Sequence, residues 1–384
     1  MKSIKCTAVF IMIAFLSGCW GSTELPEISI VSSVGIDRSE DGEIQLTTHL
    51  IDPTAVKNEQ EQPYNVQTIS GKTVFKAVRE SITVIGEKQN WQHVMAFIVG
   101  KDIAEESVIP ILDFFSRDHE PRLKMYMMVA DRQAREILED YPPSTEIPAV
   151  QLQDAIDSQE ELSEAPKVEY HDFIQYLRNP YIDPYMPVVR FGEEGRVQVH
   201  GTAVFKDDRV AGYLGKQETV AFQRVKGDVK GGLQLVELEE RGSAEQDNAL
   251  EASIEIKQSK SSTRAKIKNG EPVITIEVTE IGFIGELTEP VKVTAKLLKE
   301  IENEYEKTVK QEIEESVKKI QKEFQANLLG FAEVIEREDP AYWKKHKHEW
   351  SEIYPELEVQ VNVKATIRDH GLIEHHLNEK GRAE

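Results

Sequence analysis

The first twenty residues constrain this chain more tightly than any later stretch. Lys2 and Lys5 form a short positive segment, and residues 7–16 are apolar or small. That run is about half of the roughly 20 residues that a membrane-spanning helix needs. Leu16-Ser17-Gly18-Cys19 then brings small residues up to a cysteine. The pattern reads as a secretory signal ending in a lipobox, not as a transmembrane anchor. On this reading residues 1–18 are the signal peptide and cleavage falls between Gly18 and Cys19. Cys19 then carries a diacylglyceryl group on its thiol and an acyl chain on its amine. An ordinary secretory signal with a cysteine near the cut is the bland alternative, but all four positions fit the lipobox. Two or more acyl chains, at about 0.8 kcal/mol per buried methylene, hold a protein stably where one holds it marginally. Everything after Cys19 is therefore expected to be a body tethered to the outer face of a membrane.

The precursor has 384 residues, enough for two to three domains with real cores. No later stretch approaches about 20 uninterrupted apolar residues, so the mature body is not expected to span a membrane. Cleavage before Cys19 removes Lys2 and Lys5, leaving 44 basic against 68 acidic side chains, a formal charge of −24. Such a body repels nucleic acid and anionic headgroups, and neither is expected as a direct ligand. Cys6 leaves with the signal and Cys19 is taken by lipid, so the mature chain has no disulfide to rely on.

The rest of the pattern predicts an α+β chain in three mixed α/β domains, the last with one long helix packed on a sheet. Residues 19–194 read as an N-terminal α/β domain. Asp41-Gly42 closes a hairpin between strands near 28–37 and 44–51, and strands at 93–99 and 123–129 are each followed by a helix, as in a mixed layer. Prolines at 180, 184 and 187 mark a change of regime. Residues 195–262 read as a small β-rich middle domain, with a turn at Asp207-Asp208 and tight turns at Gly227, Gly231 and Gly232. Residues 263–376 read as a C-terminal α+β domain. Its helix is predicted to begin near Pro290, a residue suited to a first turn. Apolar residues from 291 to 328 recur at a mean spacing of about 3.7, one face over roughly 55 Å. Glu306 with Lys310 and Glu314 with Lys318 stand on the other faces in the favourable order. The helix is expected to pack on its own sheet. The final strand, 357–367, alternates cleanly and is long enough for a central position.

Motifs that could carry chemistry mostly dissolve on inspection. Ser70-Gly71-Lys72-Thr73 matches the end of a phosphate-binding loop, but Val66 stands where that motif needs a further glycine. The surviving reading is a helix after Gly71 with Val74, Ala77, Val78, Ile82 and Ile85 on its apolar face. His346 and His348, two apart on a helix, point about 200° apart, and His375-His376 lies in a polar tail, so no metal site is expected. No Gly-x-Ser-x-Gly elbow occurs, and no mature cysteine remains as a nucleophile. Trp20, Trp91, Trp343 and Trp350 are scattered as core residues are. No catalytic residue is assigned and no cofactor is expected; the chain does not read as an enzyme.

Several short blocks occur in a telling order: Gly18-Cys19-Trp20, Glu24-Leu25, Val34-Gly35-Ile36-Asp37, and Phe114-Phe115-Ser116-Arg117-Asp118-His119-Glu120-Pro121-Arg122. They continue with Gly201-Thr202-Ala203-Val204-Phe205-Lys206-Asp207-Asp208, Gly212-Tyr213-Leu214 and Glu218-Thr219. The long helix, the stretch 340–350 and Arg368-Asp369-His370-Gly371 complete the series. Together they resemble the Ger(x)C spore germination lipoproteins, the C subunits of nutrient germinant receptors. Gly21 replaces the family's usual acidic residue after Cys-Trp, and Asn327 stands where an aspartate is common. The resemblance implies a three-domain body anchored through Cys19 to the bilayer at the outer face of the spore inner membrane. It implies membrane-embedded A and B subunits as partners, and a role in receptor assembly and the germination response. It carries over no catalytic residue. The alternative is a substrate-binding lipoprotein of an ABC importer, but that class needs two similar lobes, which the β-rich middle and long helix fit poorly.

Overall fold

Strands with two kinds of patterning sort into two sheets. The structure is a computed structural model that describes residues 28–58, 62–117, 122–141, 146–192, 196–238, 250–289 and 291–368. The first sheet contains β1 (Ile28–Arg38), β2 (Ile44–Ile51), β3 (Tyr64–Gly71), β4 (Lys88–Asn90), β5 (Ala96–Val99), β6 (Tyr126–Ala130), β7 (Tyr185–Phe191), β8 (Val197–Lys206) and β9 (Arg209–Leu214). Their order is β3-β2-β1-β5-β6-β7-β8-β9, with β4 beside the start of β1. β1, β5, β6 and β7 run parallel. Hairpins flank them on both sides.

Helices cover both faces of the parallel centre: α1 (Val74–Ile85), α2 (Lys101–Glu106), α3 (Ile109–Arg117), α4 (Ala134–Glu139), α5 (Pro148–Asp157) and α6 (Tyr170–Arg178). A strand covered twice must be apolar at every position. β5 and β6 are. Ala96, Ile98, Met128 and Ala130 pack against α4 and α5, whereas Phe97, Val99, Met127 and Val129 face α1, α2, α3 and α6.

After α7 (Lys216–Lys226) come β10 (Leu233–Leu238), β11 (Leu250–Lys268) and β12 (Glu271–Leu287), then α8 (Ala295–Lys318), α9 (Phe331–Glu338), α10 (Pro340–His346) and β13 (Glu358–Arg368). The second sheet has the order β10-β11-β12-β13, with β13 parallel to β12. Asn269 and Gly270 both take positive φ, 54° and 91°, as a two-residue hairpin turn requires. One face of this sheet is exposed and largely polar, apart from Leu233 and Leu235 on β10. The other carries Ile254, Ile274, Ile276 and Val278 against Leu297, Ile301, Tyr305, Val309 and Ile313 of α8. A continuous core runs from Val34 in the first sheet to Ile276 in the second.

Several expectations meet a different outcome. Residues 195–262 have no sheet of their own among the described residues. β8 and β9 complete the first sheet because the outer edge of β7 offers them a ladder, while β10 and β11 open the second. The boundary expected at 262 falls inside one strand of 19 residues, β11, carried through register shifts near Ser253 and Ile256. α8 begins at Ala295 because Thr294 caps it, the side chain accepting from Leu297 N at 3.2 Å. β13 is an edge strand, not a central one. Its outward N–H groups at Ala365 and Ile367 are taken up by the carboxylates of Glu306 and Glu302, at 3.0 and 3.1 Å.

Candidate functional site

Open sheets with a parallel centre bind ligands where neighbouring strands depart to opposite sides, at their carboxyl ends. Here that place lies at the ends of β1 and β5, and the protein fills it with its own carboxylate. Asp37 is buried, and its two oxygens accept from Ala134 N and Arg135 N, each at 2.7 Å. The N–H groups that open α4, where a phosphate could otherwise sit, are thereby occupied. Gly100 ends β5 against this carboxylate, and a Cβ there would run into Asp37 Oδ1. Gly35 lets α4 lie directly on β1: a Cβ would stand 2.9 Å from Leu138 Cδ1. At the other end of α4, His49 Nε2–H donates to Leu138 O at 2.8 Å. Val34-Gly35-Ile36-Asp37 is thus the seat of a helix, clamped at both ends.

Burial pushes the Asp37 carboxyl up to about 6, against the pull of the two backbone N–H groups and Arg135. Burial likewise holds the His49 imidazole down at about 4, against its bond to Leu138.

The other singled-out residues are structural where the structure describes them. Gly71 ends β3, and Thr73 caps α1 by accepting from Lys76 N at 3.1 Å. That helix terminus therefore serves the chain itself. His346 Nδ1 lies 2.9 Å from Glu349 and its ring stacks on Tyr342, while His348 is exposed on the next turn. Trp91, Trp343 and Trp350 are buried. Phe114 and Phe115 lie on α3, and Arg117 pairs with Asp113 at 2.8 Å. Gly18, Cys19, Trp20, residues 118–121, His375 and His376 lie outside the described residues. Among the described residues no group of three or more metal-ligating side chains converges. A cleft of about 400 Å³ between α5, α6 and α7 has Tyr185 and Phe222 on its floor. Several of its polar groups are already engaged: Lys167 with Asp157 at 2.6 Å, Tyr176 with Tyr185 at 3.2 Å.

What the structure does converge is the joint between the two sheets. The block from Gly201 to Thr219 forms it. Thr202 and Thr219 share a buried hydrogen bond of 2.9 Å, tying β8 to α7. Glu218 receives Lys319 at 2.7 and 2.9 Å, and Lys319 also donates to Tyr213 O at 3.2 Å. Gly212 has no room for a Cβ beneath the ring of Phe324, which ends the π-turn Lys319–Phe324 after α8. Asp183 makes a second fastening. It accepts from Asn327 N at 2.6 Å, from Asp207 N at 2.9 Å and from Lys206 Nζ at 3.0 Å. Asn327 also donates through its side chain to Tyr181 O, which a carboxylate there would not do.

Behind these lies Arg224, whose side chain is fully buried with that of Glu280. Its Nε donates to Glu280 Oε1 at 3.2 Å, Nη1 to Glu312 at 3.1 Å and Nη2 to Gln234 at 2.9 Å. Tyr305 O–H completes Glu280 at 2.6 Å. Burial opposes the charge on Arg224, yet Glu280, Tyr305 and Glu312 hold its pKa above the ordinary arginine value. One guanidinium so binds α7, β10, β12 and α8. Sequence reasoning missed it, although one signal was present: Glu280 occupies an inward position in the alternation Ile274, Ile276, Val278.

Known proteins give this arrangement its place. Residues 21–191 match the family described as the spore germination protein N-terminal domain, and residues 200–371 that described as spore germination B3/GerAC like, C-terminal. Spore germination protein B3 of Bacillus subtilis (strain 168) is 24% identical, over 96% of this chain and 98% of its own length. Spore germination protein KC of the same organism is 25% identical, over 97% and 96%. The crystal structure of the GerBC protein superposes with a TM-score of 0.59 over 87% of this chain and 96% of its own, at 23% identity, which speaks to the fold. The chain belongs to the C-type spore germination receptor family, a family of germinant receptor subunits and not of known enzymes. The first matched segment ends with β7 and the second begins within β8, so the second lends most of β8 and all of β9 to the sheet built by the first.

Two outcomes are expected of this geometry. The stability that neutral, buried His49 confers is present above pH 6.5 and lost as pH falls through about 4. That from Asp37 runs oppositely: it is present below its ordinary value of 3.8 and lost as pH rises through about 6. Each amounts to something on the order of 3 kcal/mol, so the two largely offset one another. Asp37→Asn removes the offset, and its urea midpoint should fall more steeply than the parent's between pH 6.5 and 4; parallel curves would refute the clamp. Arg224→Ala should cost about 3–5 kcal/mol by stranding Glu280, whereas Arg224→Met combined with Glu280→Met should recover most of that in urea unfolding.

Proposed function

We propose that this chain is the lipid-anchored C-type subunit of a spore nutrient germinant receptor, needed for assembly of that receptor and for the germination response. The observation that carries the reading is the collinear family match over residues 21–371 with a lipobox directly before it. Cys19 is nine residues from Ile28, where β1 starts, so the tether reaches at most about 30 Å. No helix among the described residues is long and apolar enough to cross a membrane. Attachment at the outer face of the spore inner membrane then falls to the diacylglyceryl and N-acyl chains on Cys19. Membrane-embedded A and B subunits are the partners this reading names. The importer alternative loses ground because the two sheets are unlike: among the described residues one has nine strands around a parallel centre and the other has four. The self-filled crevice at Asp37 also speaks against a small ligand bound in the usual α/β position.

Removing the gene from an otherwise intact receptor operon should abolish the response to that receptor's nutrient, and full germination without it would sink the proposal. Cys19→Ala should leave the fold unchanged, release the protein from the membrane fraction and reduce the response. If that variant still sediments with membranes, the attachment lies in contacts with partner subunits and not in the lipid.

A further inference from the structure

The two edges of the second sheet are treated differently. At β13 the outward N–H groups of Ala365 and Ile367 are taken up by carboxylates of α8, and Lys364 and Arg368 stand on the strand. Both devices discourage a further strand. β10 has neither. Its sequence, Leu233-Gln234-Leu235-Val236-Glu237-Leu238, contains no lysine, arginine or proline.

The direction of its hydrogen bonds follows from the ladder. Ile256 N donates to Gly232 O, so the even-numbered residues of β10 face β11. The N–H and C=O groups of Leu233, Leu235 and Glu237 therefore point to the other edge, where no strand pairs with β10 among the described residues. Among the described residues, Leu235 O accepts from the side chain of its neighbour Gln234, at 3.2 Å. The same three residues turn their side chains to the outer face, where Leu233 is 61% and Leu235 44% exposed. Leu162, 46% exposed, joins them, because Gly232 lies directly against Leu162 O. Exposed leucines along an open strand edge are what proteins ordinarily avoid, since the edge is a template for another strand.

The surroundings specify the occupant. Glu160 and Glu161 beside Leu162, Glu237 on the strand, and Glu251 and Glu255 opposite Glu237 and Leu233 form an acidic rim. Lys257 pairs with Glu255. A second copy of this chain would bring like rims together. We propose that β10 receives an extended segment of a partner protein, which adds a strand to the second sheet with apolar residues over Leu233 and Leu235 and a lysine or arginine toward the glutamates. The inference stands on this edge and does not depend on the receptor reading.

Hydrogen exchange on the full chain in detergent tests it, with a blocked peptide of alternating valine and threonine that has lysine at each end. In the free protein the amides of Leu233, Leu235 and Glu237 should exchange much faster than those of Gln234 and Val236. The peptide should slow those three at least tenfold. A version with proline in place of the central threonines, equal in charge but unable to extend the ladder, should not. Leu233→Lys with Leu235→Lys, both outward-facing and so compatible with the fold, should abolish the effect. Protection of the three amides in the free chain, equal action of both peptides, no action of either, or a dimer in sedimentation that these two substitutions dissolve would each overturn the proposal.

Discussion

One buried guanidinium holds this architecture together. Arg224 reaches four elements from a position without solvent, and each of its nitrogens has an acceptor. A buried ion pair is a poor source of net stability, because desolvation offsets most of the attraction. Its effect is on specificity. An arginine that must find Glu280, Glu312 and Gln234 at once admits one placement of α7 against the second sheet. With Tyr305 sealing Glu280 from α8, the same placement fixes the long helix. The helix is therefore less a surface feature than the far wall of this network.

Around that point the chain exchanges parts between its two halves. The segment matched by the C-terminal family description begins by completing a sheet that belongs to the N-terminal one, and only then builds its own. Asp183 and the pair Glu218–Lys319 fasten the same seam from the other side. The sequence blocks that carry the family resemblance, Val34 to Asp37 and Gly201 to Thr219, prove to be a helix seat and an inter-sheet joint. They keep surfaces in a set relation to each other, while the crevice that could have held a ligand is closed by Asp37.

Much of this was legible in the residues. Asp41-Gly42 marked its hairpin, the spacing of Val74, Ala77 and Val78 placed α1, and the absent glycine at Val66 removed a nucleotide loop. The failures share a cause, which is that pattern reports conformation but not partner. Alternation along β8 says strand, yet nothing local says that β7 is its neighbour. A long alternating run at the end of the chain says strand, yet only the topology makes it an edge. Pro290 signals a helix start, but the side-chain cap is made at Thr294 and the helix opens at Ala295. Arg224 lies in a helix so rich in polar residues that its inward face was not apparent. Cys19, the residue on which the proposed location rests, lies outside the described residues.

The Arg224 joint is expected to make both sheets a single cooperative unit. Native-state hydrogen exchange under increasing denaturant tests this most directly. The slowest amides of β5 and β6 in the first sheet and of β12 in the second should merge into one isotherm, with the same opening free energy and the same denaturant dependence. If β12 opens at a distinctly lower free energy while β5 and β6 remain closed, the sheets are separate units and the account of the joint is wrong.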